Sequence, residues 1–248
     1  MVVFISGASA GFGKAISKKF AQEGHYVIAT ARRKEKLQEL QKELGEMCQI
    51  IASDINDTSM IENALKKLPQ EFQQIDLLIN NAGLALGLES AEKTSVSDWE
   101  KMIATNINAL IKLTHLLLPQ MVERKKGHII NIGSIAGTYP YPGGNVYGAT
   151  KAFVKQFSLN LRADLYDKNI RVTNIEPGLC GGSEFSLVRF KGDAFKAQKV
   201  YENTHPLLPE DIAETIWWVA NLPEHININR IEMMPTTQAP AALNVAKF

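Results

Sequence analysis

The sequence predicts an α/β protein whose core is a doubly wound parallel sheet of about seven strands with helices on both faces. Short apolar runs alternate with longer amphipathic stretches, and a glycine-rich turn directly follows the first apolar run. Strands separated by helical patterns need crossover connections, which produce a parallel sheet covered on both sides. Because the chain shows no internal repeat, low-complexity tract or linker, we expect residues 1–248 to form one domain.

Seven apolar runs predict the strands. The first run, residues 2–6, is rich in β-branched side chains, which favour extended backbone. The other runs predict strands over residues 26–30, 49–53, 75–79, 128–132, 170–175 and 229–233.

Amphipathic stretches between these runs predict the helices. They are expected from the glycine turn to about residue 24, over 34–44, from the third strand to about 69, from about 147, and over 210–220. Residues 180–209 have a mixed pattern, which predicts a mobile excursion above the sheet.

The longest predicted helix lies before the fifth strand. Ser97-Asp98-Trp99-Glu100 has the form of a capping box and should open a helix that runs to about Arg124. Pro119 lies within this stretch and predicts a kink or an interruption, since proline cannot donate to the helical hydrogen-bond ladder.

Composition excludes several classes of protein. The 27 basic and 26 acidic residues give a net charge of +1, so we expect no nucleic-acid or anionic-membrane partner. Cys48 and Cys180 are the two cysteines, and the five histidines lack ligand spacing, so neither a disulfide scaffold nor a metal site is expected. The N-terminus does not read as a signal peptide and no apolar run is long enough to span a bilayer, so we expect a cytoplasmic protein.

The glycine turn predicts a dinucleotide site at the end of the first strand. Gly7, Gly11 and Gly13 stand between that strand and the first helix. Glycines let the backbone turn sharply and approach a pyrophosphate, and the helix N-terminus offers free amides to the anion. This placement is typical of Rossmann-like sheets.

The end of the second strand indicates which dinucleotide. An NAD site usually carries a carboxylate there, whereas this strand ends in Ala31-Arg32-Arg33. Arg32 and Arg33 would suit the 2′-phosphate of NADP(H), which guanidinium groups can hold in bidentate fashion. The alternative is that the two arginines form a solvated basic turn.

Tyr147 and Lys151 predict acid–base chemistry at the start of the helix that follows the fifth strand. Four residues apart, they share one helix face, and an ammonium beside a phenol should bring the pKa of the tyrosine down. Tyr147 is the only one of six tyrosines with a lysine four residues later. Ser134 follows the fifth strand, at the sheet edge where open α/β folds bind ligands.

Taken together, these motifs resemble the short-chain dehydrogenase/reductase family across essentially the whole chain. The matching positions are Ser6 to Gly13, Asp54, Asn80 to Gly83, Asn106, Ser134, Tyr147, Lys151 and Pro177-Gly178. Segments 81–87, 143–153, 184–192 and 232–235 further resemble the NADP-dependent 3-hydroxy acid dehydrogenases, a subgroup that includes serine and L-allo-threonine dehydrogenases and malonic semialdehyde reductases.

The resemblance implies roles for individual residues. Tyr147 would be the general acid/base, with Lys151, Ser134 and Asn106 assisting it. The cofactor would contact Gly7, Ala8, Ser9, Ala10, Gly11, Phe12, Gly13, Arg32, Arg33, Asp54, Ile55, Asn81, Tyr147, Lys151, Pro177, Gly178, Leu179, Ser183 and Phe185. Ser183 stands where many members of the family carry threonine, and it keeps the hydroxyl.

The resemblance also implies the activity. It would be hydride transfer between NADP(H) and small 3-hydroxy or 3-oxo acids, by a homotetramer. A 3-oxoacyl or general carbonyl reductase is the neighbouring alternative, and a non-catalytic dinucleotide sensor is the alternative from another class.

A carboxylate substrate needs a cation, and Arg189 is the candidate. It lies in the 184–192 segment, close to the loop expected to cover the cofactor, and an unpaired buried charge would be costly. Lys191 is the nearest competitor. The alternative is that Arg189 forms an ordinary ion pair with an acid such as Asp193.

Overall fold

A computed structural model of the chain describes residues 1–240, and its centre is one parallel sheet of seven strands. The strand order is β3-β2-β1-β4-β5-β6-β7, so the chain winds outward in both directions from β1 and β4. The strands are β1 (Val2–Ser6), β2 (Tyr26–Ala31), β3 (Cys48–Ala52), β4 (Leu77–Asn80), β5 (Gly127–Ile132), β6 (Ile170–Pro177) and β7 (Arg230–Met233). The predicted doubly wound fold is confirmed, and predicted strand bounds differ by at most two residues.

Nine α-helices lie within residues 1–240, and they cover both faces of the sheet. They are α1 (Gly11–Gln22), α2 (Lys34–Leu44), α3 (Thr58–Leu65), α4 (Val96–Ile103), α5 (Ala109–Arg124), α6 (Asn145–Leu165), α7 (Phe185–Arg189), α8 (Ala194–Lys199) and α9 (Pro209–Ala220). None of them is long and apolar enough to cross a membrane.

Two apolar clusters form the core, one on each face of the sheet. One packs β-strand residues against α1, α2 and α9 through side chains such as Ile16, Leu37 and Ile216. The other packs the opposite face against α3, α5 and α6. Because both faces of the sheet are buried, the central strands are almost uniformly apolar. Continuous apolar runs in the sequence therefore predict their positions.

A buried polar ladder fixes α5 and α6 on the sheet. Asn80 of β4 donates to Asn131 of β5 at 2.8 Å and to Thr114 of α5 at 3.0 Å. Asn131 in turn donates to Ser158 of α6 at 2.8 Å. Hydrogen bonds between buried groups are costly to break, so this ladder holds both helices in register with the strand ends.

The predicted capping box at Ser97 is wrong. Helix α4 begins one residue earlier, at Val96, and its first turn closes on the Ser95 carbonyl, which accepts from Asp98 N at 3.0 Å. The Ser97 hydroxyl bonds to that of Ser95 at 2.8 Å, so it does not cap a backbone amide.

Of the kink or interruption predicted at Pro119, the interruption is wrong, and the kink stays a prediction. Helix α5 continues through Pro119 to Arg124. Pro119 and His115 both lie on the exposed face, where water can satisfy the carbonyl that loses its partner, while buried Leu117 and Met121 hold the helix to the sheet. The irregularity lies upstream instead, in a π-helical turn over Ala104–Asn108.

Residues 180–209, here called the flap, leave the sheet after β6 and return to their starting point. The flap contains α7 and α8. Its two ends are joined by hydrogen bonds, because Gly181 N donates to Leu207 O at 2.9 Å and Leu207 N donates to Leu179 O at 3.0 Å. The predicted excursion thus contains two short helices, its ends are joined beside β6, and its mobility stays a prediction.

Candidate active site

A cleft of about 540 Å³ opens at the carboxyl edge of the sheet, between the glycine turn and the flap. In an open α/β sheet this edge binds ligands where the strand order reverses, which here is between β1 and β4. The predicted site residues that line the cleft are Gly7, Ser9, Ala10, Gly11, Phe12, Arg33, Asn81, Ser134, Tyr147, Lys151, Pro177, Gly178, Leu179, Ser183, Phe185 and Arg189.

The glycine turn is tightly constrained. Gly7 and Gly11 have φ angles of +71° and +50°, which residues with a side chain rarely adopt. A Cβ on Gly13 would come within 2.4 Å of the Gly7 carbonyl oxygen. No side chain caps the first turn of α1, so its amides stay available to an anion.

Arg33 links the glycine turn to the flap. Its Nη2 donates to the Ser9 hydroxyl at 3.1 Å and forms an ion pair with Glu184 at 2.7 Å. Arg33 is thus in contact with both the glycine turn and the flap, although its side chain stays 45% exposed. Arg32 is exposed and does not line the cleft.

Four other predicted cofactor residues lie outside the cleft surface. Ala8 and Gly13 belong to the glycine turn and are buried. Asp54 and Ile55 follow β3, at the outer end of the same edge. The Asp54 carboxylate accepts from the backbone and side chain of Asn56, and these bonds, with a smaller effect from Arg32, lower its pKa.

Tyr147 and Lys151 project from the first turns of α6 toward the end of β5. Lys151 Nζ donates to the carbonyl of Ile132, the last residue of β5, at 2.7 Å. Ser134 follows two residues later, its hydroxyl accepts from Ala136 N at 3.1 Å, and it lies near enough to Tyr147 to lower the pKa of that phenol slightly. The structure thus brings the three predicted side chains together.

Burial dominates the electrostatics of this group. Tyr147 is 8% exposed and Lys151 is 7% exposed. Burial raises the pKa of Tyr147 to about 12, against smaller lowering effects from Ser134 and Arg189, and it lowers the pKa of Lys151 to about 8. The predicted lowering of the Tyr147 pKa by its lysine is therefore wrong for this chain, because desolvation outweighs an ammonium that lies 5.9 Å from the ring centre.

Asn106 is buried in the π-helical turn, where it contacts α6. Its amide accepts from Leu84 N at 2.9 Å and donates to Leu84 O at 2.9 Å and to Thr150 of α6 at 3.0 Å. A Cβ on Gly83 would lie 3.4 Å from Asn106 Oδ1 and 3.5 Å from Lys151 Nζ. The side chains of Asn106 and Lys151 therefore both approach Gly83, which has no side chain of its own. The π-turn thereby places Asn106 next to the lysine.

Arg189, the last residue of α7, directs its guanidinium into the cleft. Cζ lies 5.3 Å from the ring centre of Tyr147, 5.7 Å from that of Tyr141 and 5.5 Å from that of Phe185. Nη2 donates to the Tyr141 hydroxyl at 2.5 Å, while Nε is buried without a hydrogen-bond partner among residues 1–240. A guanidinium that meets only aromatic rings and a phenol is well suited to receive a carboxylate.

Neither alternative for Arg189 is formed in the structure. Asp193 instead caps α8 and pairs with Lys196 at 3.3 Å. Lys191 pairs with Asp98 of α4 at 2.7 Å and is mostly exposed. Within the described part of the chain, Arg189 is therefore without an acidic partner, and Lys191 is engaged elsewhere.

Two site residues were missed by reasoning from the sequence. Tyr141 carries no spacing signal, although it sits in an aromatic, proline-flanked segment just before α6. Glu184 was included in a matching segment but was not paired with Arg33, from which it is separated by 151 residues. Contacts at such separations follow from the fold and not from a local pattern.

Comparison with known proteins identifies the family. Residues 1–188 match the family model described as short chain dehydrogenase, and the chain belongs to this family. The NADP-dependent 3-hydroxy acid dehydrogenase YdfG of Escherichia coli K12 is 60% identical over 245 residues, which covers 99% of each chain. The serine 3-dehydrogenase of Agrobacterium fabrum is 49% identical, covering 98% of this chain and 97% of that protein.

A solved structure is similar over the full length. It is described as the closed form of serine dehydrogenase complexed with NADP+, with a TM-score of 0.98, 60% identity and complete coverage of both chains. The resemblance to the family and to its 3-hydroxy acid dehydrogenases is confirmed.

The titration of Lys151 gives a test of how deeply this site is desolvated. Its pKa is lower in the folded chain (about 8) than in the unfolded chain (10.5), so between these values the unfolded chain holds a proton that the folded chain has released. The folding stability of the cofactor-free protein should therefore rise with pH, by about 2–3 kcal/mol from pH 7 to pH 10, relative to Lys151→Met.

Denaturant unfolding of both proteins across this pH range measures the effect. The comparison cancels groups that both proteins share, including Tyr147. Parallel stability curves for the two proteins would show that Lys151 is not desolvated.

Proposed function

We propose that this chain is an NADP-dependent oxidoreductase that interconverts small 3-hydroxy acids and 3-oxo acids, such as serine, L-allo-threonine and 3-hydroxypropionate or malonic semialdehyde. The observation that carries this proposal is the placement of Arg189, whose guanidinium lies 5.3 Å from the ring centre of Tyr147 without an acidic partner in the described chain. A proton donor and a carboxylate-binding cation thus share one cleft. Relatives named for this activity at 60% identity support it.

The cleft fits NADP(H). The glycine turn has no room for a Cβ at Gly13, and the uncapped N-terminus of α1 suits a pyrophosphate. Arg33, held next to Ser9, and Arg32 would bind the 2′-phosphate, and Asp54 would face the adenine. Pro177 to Leu179, Ser183 and Phe185 would cover the nicotinamide, which supplies or accepts the hydride when bound.

Four side chains of the protein handle the proton. In reduction, Tyr147 donates its phenolic proton to the carbonyl oxygen, and a pKa of about 12 keeps that proton available at neutral pH. Ser134 donates a hydrogen bond to the same oxygen. The ammonium of Lys151 stabilises the remaining phenolate and passes a proton to it, and Asn106 organises the relay that returns a proton to Lys151. Oxidation runs the same steps in reverse.

Arg189 distinguishes this function from its alternatives. A 3-oxoacyl or general carbonyl reductase needs no cation beside Tyr147, and a dinucleotide sensor needs no proton donor there. Because the partly buried guanidinium of Arg189 has no acidic partner among residues 1–240 and its Nε is unbonded, a substrate carboxylate would supply the charge and the acceptor that it lacks.

We also propose a cytoplasmic homotetramer, as the family resemblance implies. Exposed apolar side chains on α6 and α9 support association between copies of the chain, including Phe153, Leu159 and Trp218.

Removing the phenolic hydroxyl tests the reaction. The parent enzyme should oxidise NADPH with malonic semialdehyde and reduce NADP⁺ with serine, 3-hydroxypropionate or L-allo-threonine. Tyr147→Phe keeps the ring and should lower turnover by at least about 10²–10⁴-fold while NADPH binding is retained. Tyr166→Phe removes a largely exposed hydroxyl at the end of α6 and serves as the control. Near-parent activity of Tyr147→Phe would exclude it as the acid.

Loss of either arginine after β2 tests cofactor selection. Arg33→Ala and Arg32→Ala should each weaken NADPH binding, by about 10–100-fold where a charged hydrogen bond is lost, with NADH binding nearly unchanged. Titration of intrinsic fluorescence with each cofactor measures the two affinities. Lys42→Ala removes an exposed charge from the far end of α2 and controls for net charge. The phosphate assignment is wrong if both arginine variants keep the parent preference for NADPH.

Arg189→Ala tests the carboxylate assignment. KM for serine or 3-hydroxypropionate should rise by about one to two powers of ten, because the substrate carboxylate loses its charged partner, while NADPH binding changes little. Turnover of an uncharged carbonyl substrate should be spared. Equal losses on charged and uncharged substrates would mean that Arg189 only holds the flap together.

A further inference from the structure

Arg189 is fixed at two points that belong to different parts of the fold. Its backbone carbonyl accepts from Gly87 N at 2.9 Å, and its guanidinium donates to the hydroxyl of Tyr141 at 2.5 Å. The first contact places the end of α7. The second determines where the charge lies, since the three surrounding rings offer dispersion and cation–π attraction but no directional acceptor.

Tyr141 lies in the turn that leads into α6, the helix that carries Tyr147. Its carbonyl accepts from Gly144 N at 3.0 Å, immediately before α6 begins. Its ring rests against the bare backbone of Gly144, where an added Cβ would lie 2.9 Å from the Tyr141 Cε1 atom. The hydroxyl that accepts from Arg189 is therefore positioned next to α6, the helix that carries Tyr147. Arg189 itself belongs to the flap.

We infer that Tyr141 is a positioning residue for substrate selection: its hydroxyl holds the guanidinium of Arg189 at a set place relative to Tyr147, so that carboxylate-bearing substrates are favoured. This inference rests on the proposed function. An arginine side chain has many rotamers, and the phenol selects one of them before substrate arrives. By accepting a single N–H, it leaves other guanidinium donors for a carboxylate.

Tyr141→Phe removes the acceptor and keeps the ring. We expect KM for malonic semialdehyde to rise about tenfold, with kcat at saturation and NADPH affinity within about twofold of the parent. KM for methyl 3-oxopropanoate, which is the uncharged ester of the same substrate, should not change. Tyr139→Phe is the matched control. Tyr139 is two residues before Tyr141 in the sequence, and its hydroxyl donates to Glu232 at 2.9 Å and not to Arg189.

A double-mutant cycle with Arg189→Ala separates positioning from other roles. If Tyr141 acts through the arginine, Tyr141→Phe should have no further effect on KM for malonic semialdehyde in the Arg189→Ala background. A further increase there would show that Tyr141 acts independently and would overturn the inference. Equal losses with the acid and the ester would also overturn it, since they indicate general damage to the site.

The same measurements keep this inference distinct from the proposed function. If Arg189→Ala raises KM for the acid and Tyr141→Phe does not, the carboxylate assignment stands and the positioning role falls. If Arg189→Ala leaves that KM unchanged while the parent turns over the acid, both assignments fail and the oxidoreductase chemistry stands. Unchanged NADPH affinity and ester turnover verify that each variant is folded.

Discussion

The candidate active site depends on one buried hydrogen bond, from the ammonium of Lys151 to the carbonyl of Ile132. It joins the first turns of α6 to the last residue of β5, and so fixes the distance between the helix that carries Tyr147 and the strand end that leads to Ser134. An ammonium that is only 7% exposed needs such an acceptor, because little water is left to solvate it. The asparagine ladder through Asn131 and Ser158 supports the same pair of elements deeper in the core.

The flap completes the site by contacting both ends of the cleft. Glu184 immediately precedes α7 and pairs with Arg33 near the glycine turn. Arg189 ends the same short helix and lies beside Tyr147. A helix of five residues therefore touches the region proposed for the cofactor phosphate and the region proposed for the substrate carboxylate, which places the two binding events on one structural element.

Much of the fold and the centre of the site could be predicted because their signals are local. Buried parallel strands appear as apolar runs, and Tyr147 with Lys151 share a helix face by spacing alone. The start of α4, the π-turn and the uninterrupted path through Pro119 depend on tertiary packing, so the local rules failed there. The contact between Arg189 and Tyr141 joins residues that are 48 positions apart in the sequence, so no local spacing predicts it. The pKa of Tyr147 is raised because the side chain is buried, and burial cannot be deduced from the spacing of Tyr147 and Lys151.

The ion pair between Arg33 and Glu184 makes the attachment of the flap responsive to ionic strength. Both side chains are nearly half exposed, at 45% and 47%, so water and dissolved ions screen their attraction. Such pairs contribute roughly 0.2–1 kcal/mol, a small amount compared with the buried contacts that hold the sheet together. The flap is thus fastened at this end by a contact that thermal motion can break, and a more saline medium loosens it further.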